Sequence, residues 1–160
     1  MNSNTSKRVL DPCSGSRVFY FDRHHPDVIF GDNRTETHTL CDGRQLHISP
    51  DVNLDVTALP FSDGQFKLVI FDPPHLLRAG PKSWIAAKYG KLPGNWKEML
   101  RKGFKECFRV LSDNGVLVFK WSEIQITARE VLACSEHMPL VGNKMGKQSG
   151  THWYIFMKPN

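Results

Sequence analysis

Residues 66–75 read Phe-Lys-Leu-Val-Ile-Phe-Asp-Pro-Pro-His: an apolar run that stops at an acid, two prolines and a histidine. A short, nearly continuous apolar run without alternation is the pattern of a strand buried on both faces, as in parallel sheets. Neither proline can donate a ladder hydrogen bond, so the strand ends there. The acid therefore falls at the carboxyl end of a buried strand, where ligands bind in open α/β sheets.

Working outward, RVLDPC (8–13) and DVIFGD (27–32) read as the first two strands and NLDV (53–56) as a weak third. The run FKLVIFDPP (66–74) is the fourth, GVLVFKWS (115–122) the fifth and THWYIFMKP (151–159) the last. Between them, NWKEMLRKGFKECFRVL (95–111) places Trp96, Met99, Leu100, Gly103, Phe104, Cys107, Phe108 and Leu111 on one helical face. Asn95 with Glu98 is an N-terminal capping pair, and SDNG (112–115) stops that helix. A second helix is predicted over EIQITAREVLACSE (123–136), opening behind Ser122 with Gln125 and burying Ile124, Ala128, Val131 and Leu132. Any helix in SRVFYFDRHH (16–25) must be short, and none is predicted over 33–50. Strands alternating with helices give an α/β class with a largely parallel sheet.

The chain has 160 residues, which is one domain on length, with 40% hydrophobic and 23% charged residues. No apolar run is long enough to span a bilayer. The N-terminal segment lacks the apolar core of a signal peptide. Four widely spaced cysteines read as reduced thiols of a cytosolic protein, and HTLC (38–41), with His24, His25 and His47 elsewhere, lacks a second ligand pair at zinc spacing. Oligomeric state has no signal in the sequence. Residues 1–75 carry seven Lys/Arg against ten Asp/Glu, whereas residues 76–160 carry fourteen against six. An acidic half followed by a basic half indicates two ligands, one suited to carboxylates and one anionic.

The strand ends carry Asp11, Asp32, Asp55 and Asp72 in turn, and partly desolvated acids need partners. Asp32 follows Asp11 by the spacing at which an acid reaches a ribose. The turn DPCSGSR (11–17) lacks the glycine fingerprint of a pyrophosphate site, and Asp11 there favours a cation. An adenosine bearing an ammonium and a sulfonium fits these charges better than a dinucleotide.

The succession DPCSGS, GDNR, DVTALPFSDGQFKLVIFDPP and FKECFRVLSDNGVLVFKWS resembles the class I S-adenosylmethionine-dependent methyltransferases over nearly the whole chain. Within them it resembles the small stand-alone enzymes of phages and prophages, relatives of the DNA and RNA amino-methyltransferases. The resemblance implies a Rossmann-like methyltransferase sheet in the order 3-2-1-4-5-7-6 with its last strand antiparallel. It implies S-adenosylmethionine as cofactor, with Asp11, Pro12, Cys13 and Gly15 at the methionine end, Asp32 and Asn33 at the ribose, and Asp55 and Val56 at the adenine. The family pattern has a second glycine where this chain has Arg17; arginine tolerates a positive φ poorly, which argues for a reshaped turn.

An exocyclic nucleobase amine is a poor nucleophile because its lone pair is delocalised into the ring. The Asp72 carboxylate and the carbonyl of Pro73 can each accept one of its N–H groups and turn the lone pair toward a methyl donor. Pro74 fixes the chain beyond, and His75 stands where the family pattern has a base-stacking aromatic. The following loop interleaves Arg78, Lys82, Lys88 and Lys91 with Trp84, Tyr89 and Trp96, cations for phosphates beside faces for bases. Lys97, Arg101, Lys105, Lys120, Lys144 and Lys147 extend the basic set. No separate target-recognition domain fits in the length. The reading is therefore an amino-methyltransferase of a nucleobase, adenine N6 before cytosine N4, with DNA before RNA as partner. A protein-amide or small-amine methyltransferase and a non-catalytic nucleic-acid-binding module are the alternatives.

Overall fold

Strand β6 (Phe66–Phe71), the run that opened the reading, lies fourth across a seven-stranded sheet in the computed structural model, which describes residues 6–143 and 150–160. Its neighbours on one side are β1 (Val9–Asp11), β2 (Val28–Asp32) and β5 (Val52–Asn53), all parallel. On the other side β7 (Leu111–Ser122) runs parallel to it; β9 (Thr151–Met157) is antiparallel to β7, and β8 (Val141–Gly142) closes the edge. The order β5-β2-β1-β6-β7-β9-β8 is 3-2-1-4-5-7-6 when only this sheet's strands are counted, the order that the resemblance implied.

Helix α2 (Trp96–Val110) crosses from β6 to β7 and buries Leu100, Gly103, Phe104, Cys107 and Phe108, following the predicted period. Phe104 packs edge-on against Phe71 at 5.3 Å and tilted against Phe119 at 4.8 Å. A Cβ on Gly103 would stand 2.9 Å from the Phe71 ring, so the helix sits this close because that residue has no side chain. The helix stops where SDNG predicts: β7 follows at once, its register jumping from Leu111 to Val116 while Asn114 takes a φ of 59°. Asn95 occupies the N-cap position, but its side chain makes no capping bond.

Several expectations are corrected. Helix α3 spans only Ala128–Leu132 and is capped by Thr127 with Glu130, not by Ser122 with Gln125. Ile124 is exposed, and Gln125 instead clamps the chain at Leu77 and Arg78. The third strand ends at Asn53, leaving Asp55 beyond it. No helix forms between β1 and β2, and residues 33–50 hold a β-hairpin, β3 (Glu36–Thr39) with β4 (Gln45–Ile48). The one sequence signal for it is the short alternation in β4, which buries Leu46 and Ile48.

Arg17 helps hold the chain in the stretch without a helix. Its guanidinium lies 3.9 Å from the Phe30 ring centre and donates to the carbonyls of Arg23 at 2.6 Å and Ser49 at 2.8 Å. These contacts hold the residue at a φ of 57°, in the left-handed region that arginine rarely adopts.

Candidate active site

The carboxyl ends of β1, β2, β5 and β6 border a cavity of about 470 Å³, roofed by residues 89–99. Its walls bring together Pro12, Cys13, Gly15, Asp32, Asn33, Asp55 and Val56, the whole predicted cofactor set except Asp11. Asp72, Pro74 and Tyr89 of the predicted acceptor set line it too.

Asp32 is 4% exposed and accepts from the Gly15 amide at 2.9 Å and from the amide and Nε of Arg34 at 3.0 and 3.3 Å. Gly15, at a φ of 51°, thereby presents its backbone to the carboxylate. Asp55 accepts from the amide and hydroxyl of Thr57 through one oxygen, which turns the chain at the rim. Ser14 Oγ and Ser16 Oγ are buried without a hydrogen-bond partner, and both residues line the cavity. Orphaned hydroxyls beside a carboxylate suit a polar ligand of nucleoside type.

Asp11 is fully buried and absent from the cavity wall. Its carboxyl accepts from the Tyr20 hydroxyl at 2.8 Å and the Cys13 amide at 3.1 Å. Burial pushes it up to about 8 despite the Tyr20 bond. It therefore braces the turn at 11–15 and does not face the cavity.

At the other end, Asp72 is 8% exposed and its Oδ2 accepts from Lys120 Nζ at 3.1 Å. Burial raises the carboxyl to about 6; the lysine's charge and hydrogen bond pull the other way. The ammonium stands 5.3, 5.1 and 5.7 Å from the ring centres of Phe19, Tyr89 and Trp153, an aromatic cage around a cation. Lys120, expected to meet a phosphate, is thus the charge partner of Asp72.

No family model and no curated protein matches the chain. Among solved structures it is similar to the PH0226 protein of Pyrococcus horikoshii OT3, at 15% identity over 99% of this chain and 84% of that one, with a TM-score of 0.57. It is also similar to the CurJ carbon methyltransferase, at 12% identity and a TM-score of 0.55, and spans 50% of that chain. A SAM-dependent methyltransferase of Leishmania major matches at 11% identity over 97% of this chain, with a TM-score of 0.53; 66% of its length is covered. Strand order and these likenesses agree. The fold is that of the class I S-adenosylmethionine-dependent methyltransferases.

Within this methyltransferase fold, other predicted residues fall outside the cavity. His75 is buried, its ring 5.6 Å from Tyr89 and 6.4 Å from Trp121, and burial lowers its pKa; it packs instead of presenting a face to a base. Pro73 is buried as well and does not line the wall. Arg78, Lys82 and Trp84 are exposed and do not line the wall, and Trp96 packs against the core. Lys144 and Lys147 lie outside the described residues. Sequence reading missed Arg34, whose guanidinium joins Asp32 to the carbonyls of Ala87 at 3.1 Å and Lys88 at 3.4 Å, at the end of helix α1 (Trp84–Tyr89). It also missed Phe19 and Trp153, which read as helix and strand residues. Among the described residues no helix is long and apolar enough to cross a membrane, and no cluster of three His, Cys, Asp or Glu could hold a metal ion.

Proposed function

We propose that this chain is an S-adenosylmethionine-dependent methyltransferase acting on an exocyclic amino nitrogen of a nucleobase in nucleic acid, adenine N6 before cytosine N4. The observation that carries it is the position of Asp72: one buried carboxylate at the strand end facing the same cavity as Gly15, Asp32 and Val56. The likeness of the fold to proteins named as methyltransferases supports the reaction class. Kinship with the phage and prophage amino-methyltransferases belongs to this proposal and rests on the Asp-Pro-Pro corner.

When bound, S-adenosylmethionine supplies a methyl group on an electrophilic sulfonium. Asp32 and Asn33 would hold its ribose, Val56 and Asp55 its adenine, and Ser14 and Gly15 its amino-acid end. Asp72 accepts an N–H of the acceptor amine, orients its lone pair and offsets the positive charge that develops on nitrogen. As a carboxylate poised at about 6, it is ionised at neutral pH and can take the proton released. Tyr89 and Phe19 line the cavity beside Asp72 and offer the stacking faces that His75 does not. A second reading, methylation of a protein or small amine, is favoured by the cage around Lys120, which already holds an aliphatic ammonium at the acid.

Transfer of tritiated methyl to duplex DNA, single-stranded DNA and total RNA, with Asp72→Ala as control, tests this. Label in one polymer, lost in the variant, is expected. Label only in protein or small products would transfer the assignment to the second reading, and activity surviving Asp72→Ala would refute the mechanism.

A further inference from the structure

Lys88, the penultimate residue of α1, is seated on the cofactor-side turn. Its carbonyl lies 3.2 Å from where a Cβ on Gly15 would stand and accepts from Arg34. Its ammonium reaches the acceptor side, 5.5 Å from the Tyr89 ring centre and 5.7 Å from that of Trp84. The Lys120 ammonium approaches the same Tyr89 ring at 5.1 Å, but it is neutralised by Asp72. Lys88 has no such partner: among the described residues its half-buried ammonium makes no hydrogen bond or ion pair.

The surrounding charge makes that vacancy costly. Burial and then the nearby charges of Lys120, Arg23 and Arg44 all push the Lys88 pKa down, and no carboxylate opposes them. Arg44 is paired with Asp42 at 2.6 Å, whereas Arg23 is exposed with its side chain unpartnered. A half-buried ammonium without a carboxylate partner is stabilised when an anion completes it. Lys91 and Lys102 line the cofactor cavity; Lys88 does not, and stands outside it beside the acceptor corner.

We propose that the Lys88 ammonium is a phosphate contact that grips the backbone phosphate flanking the acceptor base, which makes the substrate a nucleic-acid strand and not a free base or a protein side chain. This rests on the nucleobase reading above and narrows it.

The test is fluorescence anisotropy of labelled single-stranded DNA and RNA oligonucleotides across a salt series. Wild type and Lys88→Met are compared with a substitution of Lys67, an exposed lysine at the opposite end of β6, Lys67→Met. Loss of one phosphate contact should make the slope of log affinity against log salt shallower by about 0.7 on a single strand. That change is expected in Lys88→Met and absent in Lys67→Met. A neutral methylphosphonate at the flanking position should erase the difference between wild type and Lys88→Met. An unchanged slope in Lys88→Met, with wild type binding normally, would overturn the subsite alone. Weaker S-adenosylmethionine binding by calorimetry with an unchanged slope would also overturn it and give the anion as the cofactor's carboxylate. Wild type binding no oligonucleotide would overturn the nucleobase reading itself.

Discussion

Replacing Lys120 by methionine should move the pH dependence of catalysis in a direction and by an amount that the structure specifies. The ammonium donates to Asp72 Oδ2 at 3.1 Å, with side-chain exposures of only 16% and 7%. A hydrogen bond to a charged group is worth about 1.5–3 kcal/mol, which is about one to two pH units of carboxylate acidity. Burial alone raises this acid, and the lysine holds it at about 6. Methionine keeps the apolar stem among Phe19, Tyr89 and Trp153 and removes the charge. The acid must be ionised to offset the charge developing on nitrogen and to take the proton released, so activity appears as pH rises through its pKa. The acid limb of kcat/KM should therefore move from about 6 in wild type to between about 7 and 8 in Lys120→Met. At pH 6.5, a limb at about 7.5 corresponds to roughly eightfold lower activity, and the two enzymes should converge above pH 9. Lys120→Arg, which keeps the charge, should keep the limb near wild type. The assay is initial-rate methyl transfer across pH, with calorimetry showing unchanged cofactor affinity. A loss that is uniform across pH, or an acid limb that does not move, would refute the coupling.

Asp72→Ala should lower kcat by about 10²–10³, with cofactor affinity by calorimetry within about twofold of wild type. Because Asp11 is pushed up to about 8 from 3.8, the native state keeps a proton that the unfolded chain has lost. Stability should therefore fall by roughly 3 kcal/mol from pH 6 to pH 9; Asp11→Asn, a mimic of the neutral acid, should flatten that fall in urea titrations, and equal slopes would refute it. Arg17→Gly relieves the left-handed strain but strands the carbonyls of Arg23 and Ser49 and uncovers Phe30. A net loss of about 2 kcal/mol is expected, lowering Tm by about 4–8 °C, and a melting temperature at or above wild type would show that the staple contributes nothing.

Much of the sheet was legible because its signals are local. The continuous apolar runs of β2, β6 and β7 marked buried strands, and the Asp-Pro-Pro stop placed an acid at a strand end. The period in α2 named its buried face, and SDNG its stop. Where local signals were weak or shared, reading failed. Ser122 with Gln125 imitates a capping box, yet Thr127 with Glu130 forms the actual one, because Gln125 is drawn away to satisfy the backbone at Leu77 and Arg78. The alternation of β4 is only four residues long and was lost among polar neighbours.

By itself the sequence determined the strand order's ingredients, the acids at Asp11, Asp32, Asp55 and Asp72, and the asymmetry of charge, since each depends on residue type and short spacing. Only the tertiary structure decided how those acids differ. Asp11 and Asp72 are both aspartates at strand ends, but one is sealed under Tyr20 and the other opens on the cavity beside Lys120. It likewise turned His75 inward and held Arg17 at a positive φ. The reason is that burial and charge pairing are summed over neighbours far apart in the chain: Lys120 lies 48 residues from the acid whose protonation it controls.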